Sequence, residues 1–125
     1  MVQTDISQLS SECTEWRQIL RNYKDEFSTS KRSLEEICRK SLSKDQLQEI
    51  EHFDNQFLIQ LINIHDLKQK IKSHEKQINQ DLSTSDISES TYSYHESLLD
   101  QFLSLENTLQ ELRNEFKGFI SVTSC

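Results

Sequence analysis

Residues 6–37 read ISQLSSECTEWRQILRNYKDEFSTSKRSLEEI. Taken at alternating steps of three and four, the stretch yields Ile6, Leu9, Cys13, Trp16, Leu20, Tyr23, Phe27, Ser30, Leu34 and Ile37. Such steps hold side chains on one side of an α-helix, whereas a half-buried strand needs steps of two. The stretch is therefore the seam of a long helix, widened by Ile19 and Cys38 and expected to run from near Asp5 to about residue 40.

The seam is interrupted at Ser41-Leu42-Ser43. Ser43 then opens the pattern S-K-D-Q, a capping box with Gln46 at the third helical position. The second segment carries Leu47, Ile50, Phe57, Leu61, Ile64, Ile71 and Ile78, broadened by Phe53, Leu58, Ile62 and Leu67. A stripe of this width suits a central helix between two neighbours. Asp54, Lys68 and Glu75 put polar groups at seam positions and interrupt it. A second break follows at Asp81–Ser85, after which Asp86 and Glu89 form another box with Asp as the cap. The third segment has the cleanest register: Leu98, Phe102, Leu105, Leu109, Leu112, Phe116 and Phe119, preceded by His95 at a seam position with Tyr92 and Tyr94 beside it. Ser121–Cys125 reads as an uncapped, fraying end.

The chain lacks Pro and has a single Gly, Gly118, so little in it breaks a helix. Helices are expected at about 5–40, 44–81 and 86–120, in one domain spanning 1–125. Short connections make sequential helices antiparallel neighbours. The expected fold is an all-α, up-down-up three-helix bundle, a coiled coil of long helices folded back on itself. Trp16, Phe27, Phe57, Leu61, Leu105 and Phe116 are its expected core. The rival is an extended coiled coil in which the breaks are stutters and the chain dimerises; Asp54, Lys68 and Glu75 would then set register or partner.

Net charge is −7 and mean hydropathy −0.72. Residues 1–42 balance seven acids with seven bases, whereas residues 83–125 carry seven acids against only Arg113 and Lys117. That imbalance disfavours nucleic acid and anionic lipid as partners and tolerates a basic protein partner. The apolar run around Phe57–Ile64 is too short and interrupted to insert in a membrane. Cys13, Cys38 and Cys125 are odd in number and lack metal-ligand spacing. With no secretory signal read at the start, they suit a reducing intracellular compartment, the cytoplasm.

No catalytic, cofactor or metal site is assigned. His65 and His74 lie about two and a half turns apart on one helix, too far to share an ion. His52 and His95 have no ligand at motif spacing, and His95, if buried, would take charge near neutral pH and loosen the bundle end. Cys13 reads as a small core residue, and Cys125 as the exposed thiol. One Gly rules out a Gly-rich phosphate loop, and Glu35-Glu36 reads as solvated surface. Lys68, Lys70, Lys72 and Lys76 form one basic cluster, and Lys31, Arg32, Arg39 and Lys40 another towards the opposite end. Partner contact is expected at Phe53, Leu58, Ile62, Lys68, Lys72 and Lys76. Phosphate on Ser85 or Ser88 would meet the positive end of the third helix.

Three details resemble a spectrin-type repeat. Trp16 sits on the stripe of the first helix, Leu67–Ile78 reads L-K-Q-K-I-K-S-H-E-K-Q-I in the second, and Leu105, Leu109 and Leu112 form L-x-x-x-L-x-x-L in the third. Leu109 stands where the family usually has an aromatic, and the Trp16-to-His74 distance exceeds the family pattern. The resemblance, over residues 5–120, implies a non-catalytic scaffold or protein-interaction module of cytoskeletal type, with helical or cytoskeletal partners and self-association within reach. Two other roles suit the same pattern: a coiled-coil subunit of a cytoskeletal, centrosomal or tethering complex, and a regulatory bundle of membrane-fusion machinery that holds a partner helix, as in syntaxin-like proteins.

Overall fold

The computed structural model describes residues 2–37, 42–84 and 86–123, excepting the side chains of residues 2–6 and 123. These residues form three helices and no strand: α1 (Val2–Glu35), α2 (Lys44–Ser83) and α3 (Glu89–Thr123). The expectations placed on Ile6 as a seam side chain and on Cys38, Arg39, Lys40, Ser41, Ser85 and Cys125 lie outside the described residues. At 1.5 Å per residue the helices are roughly 50–60 Å long.

Cross-helix pairs give the direction of each helix. Arg17 and Lys31 of α1 pair with Glu75 and Asp54 of α2, so numbers rise on one as they fall on the other. Lys70 and His74 of α2 meet Gln101 and His95 of α3 in the same inverse order. Glu12 and Glu26 of α1 meet His95 and Arg113 of α3 in direct order. The chain is an up-down-up three-helix bundle. Asp54 and Glu75, polar at seam positions, line the border of α2 with α1, where their cationic partners fix the register.

The cap at Ser43 forms as expected. Gln46 N–H donates to Ser43 Oγ (3.1 Å), and Ser43 N–H donates to Gln46 Oε1 (2.9 Å). The boundaries of α1 and α3 differ at both ends: α1 begins at Val2 rather than near Asp5, and α3 runs to Thr123 rather than 120. α1 stops at Glu35 rather than near residue 40, and Glu36 N–H and Ile37 N–H close it by donating three residues back, to the Ser33 and Leu34 carbonyls. α3 begins at Glu89, and its cap is Ser88 rather than Asp86. Ser88 Oγ accepts from Thr91 N–H (3.2 Å), while Asp86 Oδ1 accepts from the adjacent Ile87 N–H (2.8 Å). The choice is set by Asp81, whose carboxylate accepts from Ser88 N–H (3.0 Å), Thr91 Oγ1 (2.6 Å) and Gln77 Nε2 (2.8 Å). Thr91, Ser88 and Gln77 hold that carboxyl down at about 2, so it is the charged form that ties the two helix ends together.

The core follows the seam. Leu9, Cys13, Trp16, Leu20, Tyr23, Phe27 and Leu34 of α1 are buried against Phe53, Phe57, Ile64, Ile71 and Ile78 of α2 and Leu98, Phe102, Leu109, Leu112 and Phe116 of α3. Trp16, Phe27, Phe57 and Phe116 are core as expected, but Leu61 and Leu105 are only half-buried, at the edges of the seam. One end of the bundle is packed with phenylalanine. Phe57 meets Phe27 and Phe116 at 5.2 and 4.9 Å between ring centroids, and Phe53 meets Phe116 and Phe119 at 5.5 and 5.1 Å.

Candidate functional site

Two features stand apart from this packing: a polar layer inside the bundle and an uncovered face outside it.

The polar layer takes one residue from each helix. Cys13 of α1, His74 of α2 and His95 of α3 are all buried, and one ligand atom of each lies within 4.8 Å of the others. His74 Nε2 and His95 Nδ1 are 2.9 Å apart, and His95 Nε2 is 2.8 Å from Glu12 Oε1. A carboxylate only accepts, so His95 Nε2 carries a proton and donates it to Glu12. With both rings neutral, His74 Nε2–H donates to His95 Nδ1. The remaining lone pair, on His74 Nδ1, is buried and has no hydrogen-bond partner. A buried polar atom left unpaired costs about 1–3 kcal/mol, so the layer carries a polar atom that the packing leaves unsatisfied.

Aromatic rings enclose the layer. Trp16 lies 4.8 Å from His95 and 5.9 Å from Phe102, and Tyr94 lies 5.3 Å from His74. Burial, and then His95, press His74 down to about 4, so it stays neutral at physiological pH. Burial, followed by Glu75 and Glu12, pushes the Cys13 thiol up to about 12. Cys13 is therefore the small, protonated core residue that the seam implied. On one flank a cleft of about 300 Å³ reaches His95 between α1 and α3, bordered by Gln8, Glu12, Tyr92 and Glu96.

The second feature is the outer face of α2. Leu58, Ile62, His65, Gln69, Lys72 and Lys76 follow one another at steps of four and three, and all are exposed. Leu58, Ile59 and Ile62 are 50%, 46% and 52% exposed, an apolar group on a side where none of the described helices packs. Lys72 and Lys76 continue the face as cations. Lys68 sits on the α1 border, where partial burial and the neighbouring charges of Lys24, Arg21, Lys72 and Arg17 hold its ammonium below the usual lysine range. Among the described residues no carboxylate forms an ion pair with Lys68.

Of the expected contact residues, Leu58, Ile62, Lys72 and Lys76 share this outer face, and Lys68 flanks it. Phe53 does not belong with them. It points into the phenylalanine cluster and is 5% exposed, because the broad stripe of α2 divides between a core side and a solvent side. Ser88 is fully engaged as the α3 cap, and its hydroxyl lies 3.3 Å from Asp81 Oδ2. A phosphate there would meet a carboxylate as well as the helix end and would loosen the cap.

Sequence spacing along one helix separates His74 from His65 but says nothing of the residue opposite. The available signal was symmetry about the turn, since His74 stands ten residues before Thr84 and His95 eleven after it. In an antiparallel pair those positions face each other. The basic surface was likewise obscured by grouping cations along the chain, because Arg21 and Lys24 join Lys68 and Lys72 only across α1 and α2.

Comparison of the chain with protein-family models, curated proteins and solved structures finds no match. No helix among the described residues is long and apolar enough to cross a membrane.

Proposed function

We propose that this chain is a non-catalytic protein-interaction module, a rigid three-helix rod that presents the outer face of α2 to a partner protein. The observation that carries the reading is the group Leu58, Ile59 and Ile62, each about half exposed on a helix whose other large apolar side chains are mostly buried. Exposed apolar side chains clustered on one face, beside charge, are the usual composition of a docking surface. The cations beside them select a partner with acidic residues flanking an apolar stripe, as on an amphipathic helix. Burial of Trp16 in the core and the order of the helices support a spectrin-like scaffold, with helical or cytoskeletal proteins as the partners. A buried, free Cys13 suits a reducing, cytoplasmic setting.

A photo-crosslinking residue at Ile62 tests the reading in cells. It is expected to capture a defined protein, and capture should fall when Lys72 and Lys76 are changed to Glu. Capture no greater than from the same probe at Gln110, on the exposed side of α3, contradicts it.

A further inference from the structure

We propose that Cys13, His74 and His95 together bind a borderline-soft divalent transition-metal ion of the Zn(II) or Co(II) kind, one ligand from each helix, with Glu12 orienting His95 from behind. The donor set is one sulfur and two imidazole nitrogens, the chemistry that such ions select over Mg(II) or Ca(II). The ligand atoms already lie within 4.8 Å of one another. Around a tetrahedral ion with bonds of about 2.0–2.3 Å they would sit roughly 3.3–3.8 Å apart, so a shift of about 1 Å that exchanges the His74 Nε2–H to His95 Nδ1 bond for bonds to the ion completes the site.

Three further observations point to a ligand. The unpaired, buried His74 Nδ1 shows that the metal-free layer has a lone pair the fold does not use. Glu12 on His95 Nε2 is the carboxylate–histidine arrangement that fixes a metal-binding ring and leaves Nδ1 as its donor. The cleft beside His95, with Glu12 and Glu96 at its border, gives a cation an acidic approach to the layer. On binding, the Cys13 thiol gives up its proton to solvent and the sulfur coordinates as thiolate, which a divalent cation at bonding distance favours. By contrast, the carboxylate of Asp81 is occupied by the α3 cap and offers no comparable site.

The experiment uses the full chain, reduced and freed of metal with a chelator, titrated with Co(II). A thiolate-to-cobalt charge-transfer band is expected to saturate at one equivalent, with quenching of Trp16, the only tryptophan, which lies 4.8 Å from His95. Zn(II) should bleach the band and raise the melting temperature. The band should survive substitution of both Cys38 and Cys125 by Ser, a variant in which Cys13 is the only thiol and whose result stands even if Cys13→Ala does not fold. Where Cys13→Ala and His74→Gln retain their helical circular dichroism, their affinity should fall at least tenfold, and Glu12→Gln should weaken binding roughly 10- to 100-fold. Absence of the band at saturating Co(II), its loss in the Cys38/Cys125 variant, or full affinity in folded Cys13→Ala overturns the proposal.

Discussion

The two halves of the rod fill the same seam positions in opposite ways. In one half Phe27, Phe53, Phe57, Phe116 and Phe119 interlock ring against ring. In the other, Cys13, His74 and His95 occupy equivalent buried positions, roofed by Trp16. The backbone geometry is the same, so geometry does not demand histidines. An apolar layer needs only complementary shape, whereas a polar one must satisfy each nitrogen, and this one leaves His74 Nδ1 unpaired. Polar groups that the fold does not require are the places where local rules give way to something other than stability. The outer face of α2 changes along the same axis, from Leu58, Ile59 and Ile62 beside the phenylalanine half to Lys72 and Lys76 beside the histidine half.

The largest effect should come from breaking the phenylalanine half. Phe57 is fully buried among aromatic rings, and Phe57→Ala should cost about 3–5 kcal/mol in urea unfolding. Acid should act on the other half. His74 is held at about 4 by burial and by His95, against about 6.5 in an unfolded chain. Between these values the unfolded state binds the extra proton, so stability is whole above about pH 6.5 and is lost as pH falls towards 4. Asp81 of α2 favours the charged His74 ring and His95 of α3 opposes it, while Glu12, Glu75 and the neutral Cys13 thiol lie in or beside the layer on α1 and α2. In metal-free protein the loss should be on the order of 3 kcal/mol. Urea titrations across that range should show it, and His74→Gln should flatten it.

Smaller changes sharpen the contrast. Gly118 lies in α3 near the phenylalanine cluster, and a Cβ there meets nothing within 4 Å. Gly118→Ala should therefore raise stability by about 0.5–1 kcal/mol, through the intrinsic helix preference alone. The smallest effect is expected on the outer face of α2. Leu58→Glu with Ile62→Glu should leave unfolding within about 0.5 kcal/mol of the parent, since neither side chain belongs to the core, while abolishing partner capture at that face.

Much of the fold was legible because a seam with a period of 3.5 is a local property. Leu9 to Leu34 and Leu98 to Phe119 needed only their own spacing, and Ser43 needed only Gln46 three residues on. What was illegible depended on residues far away in sequence. Asp86 carries a good local cap pattern, yet Ser88 caps α3 because Asp81, at the end of the preceding helix, holds it there. Phe53 and Leu58 looked alike on one broad stripe until the two neighbouring helices covered one and not the other. The Cys13–His74–His95 layer draws on three helices and becomes visible only when the turns bring positions 13, 74 and 95 to one level.

In this fold a single chain closes its own seam and leaves the outer face of α2 free. Light scattering of the reduced protein over a wide concentration range tests it most directly. The expected mass is independent of concentration and near 14.8 kDa. A dimer that persists on dilution, and that Leu58→Glu with Ile62→Glu does not split, would mean that the seam closes between chains and would contradict it.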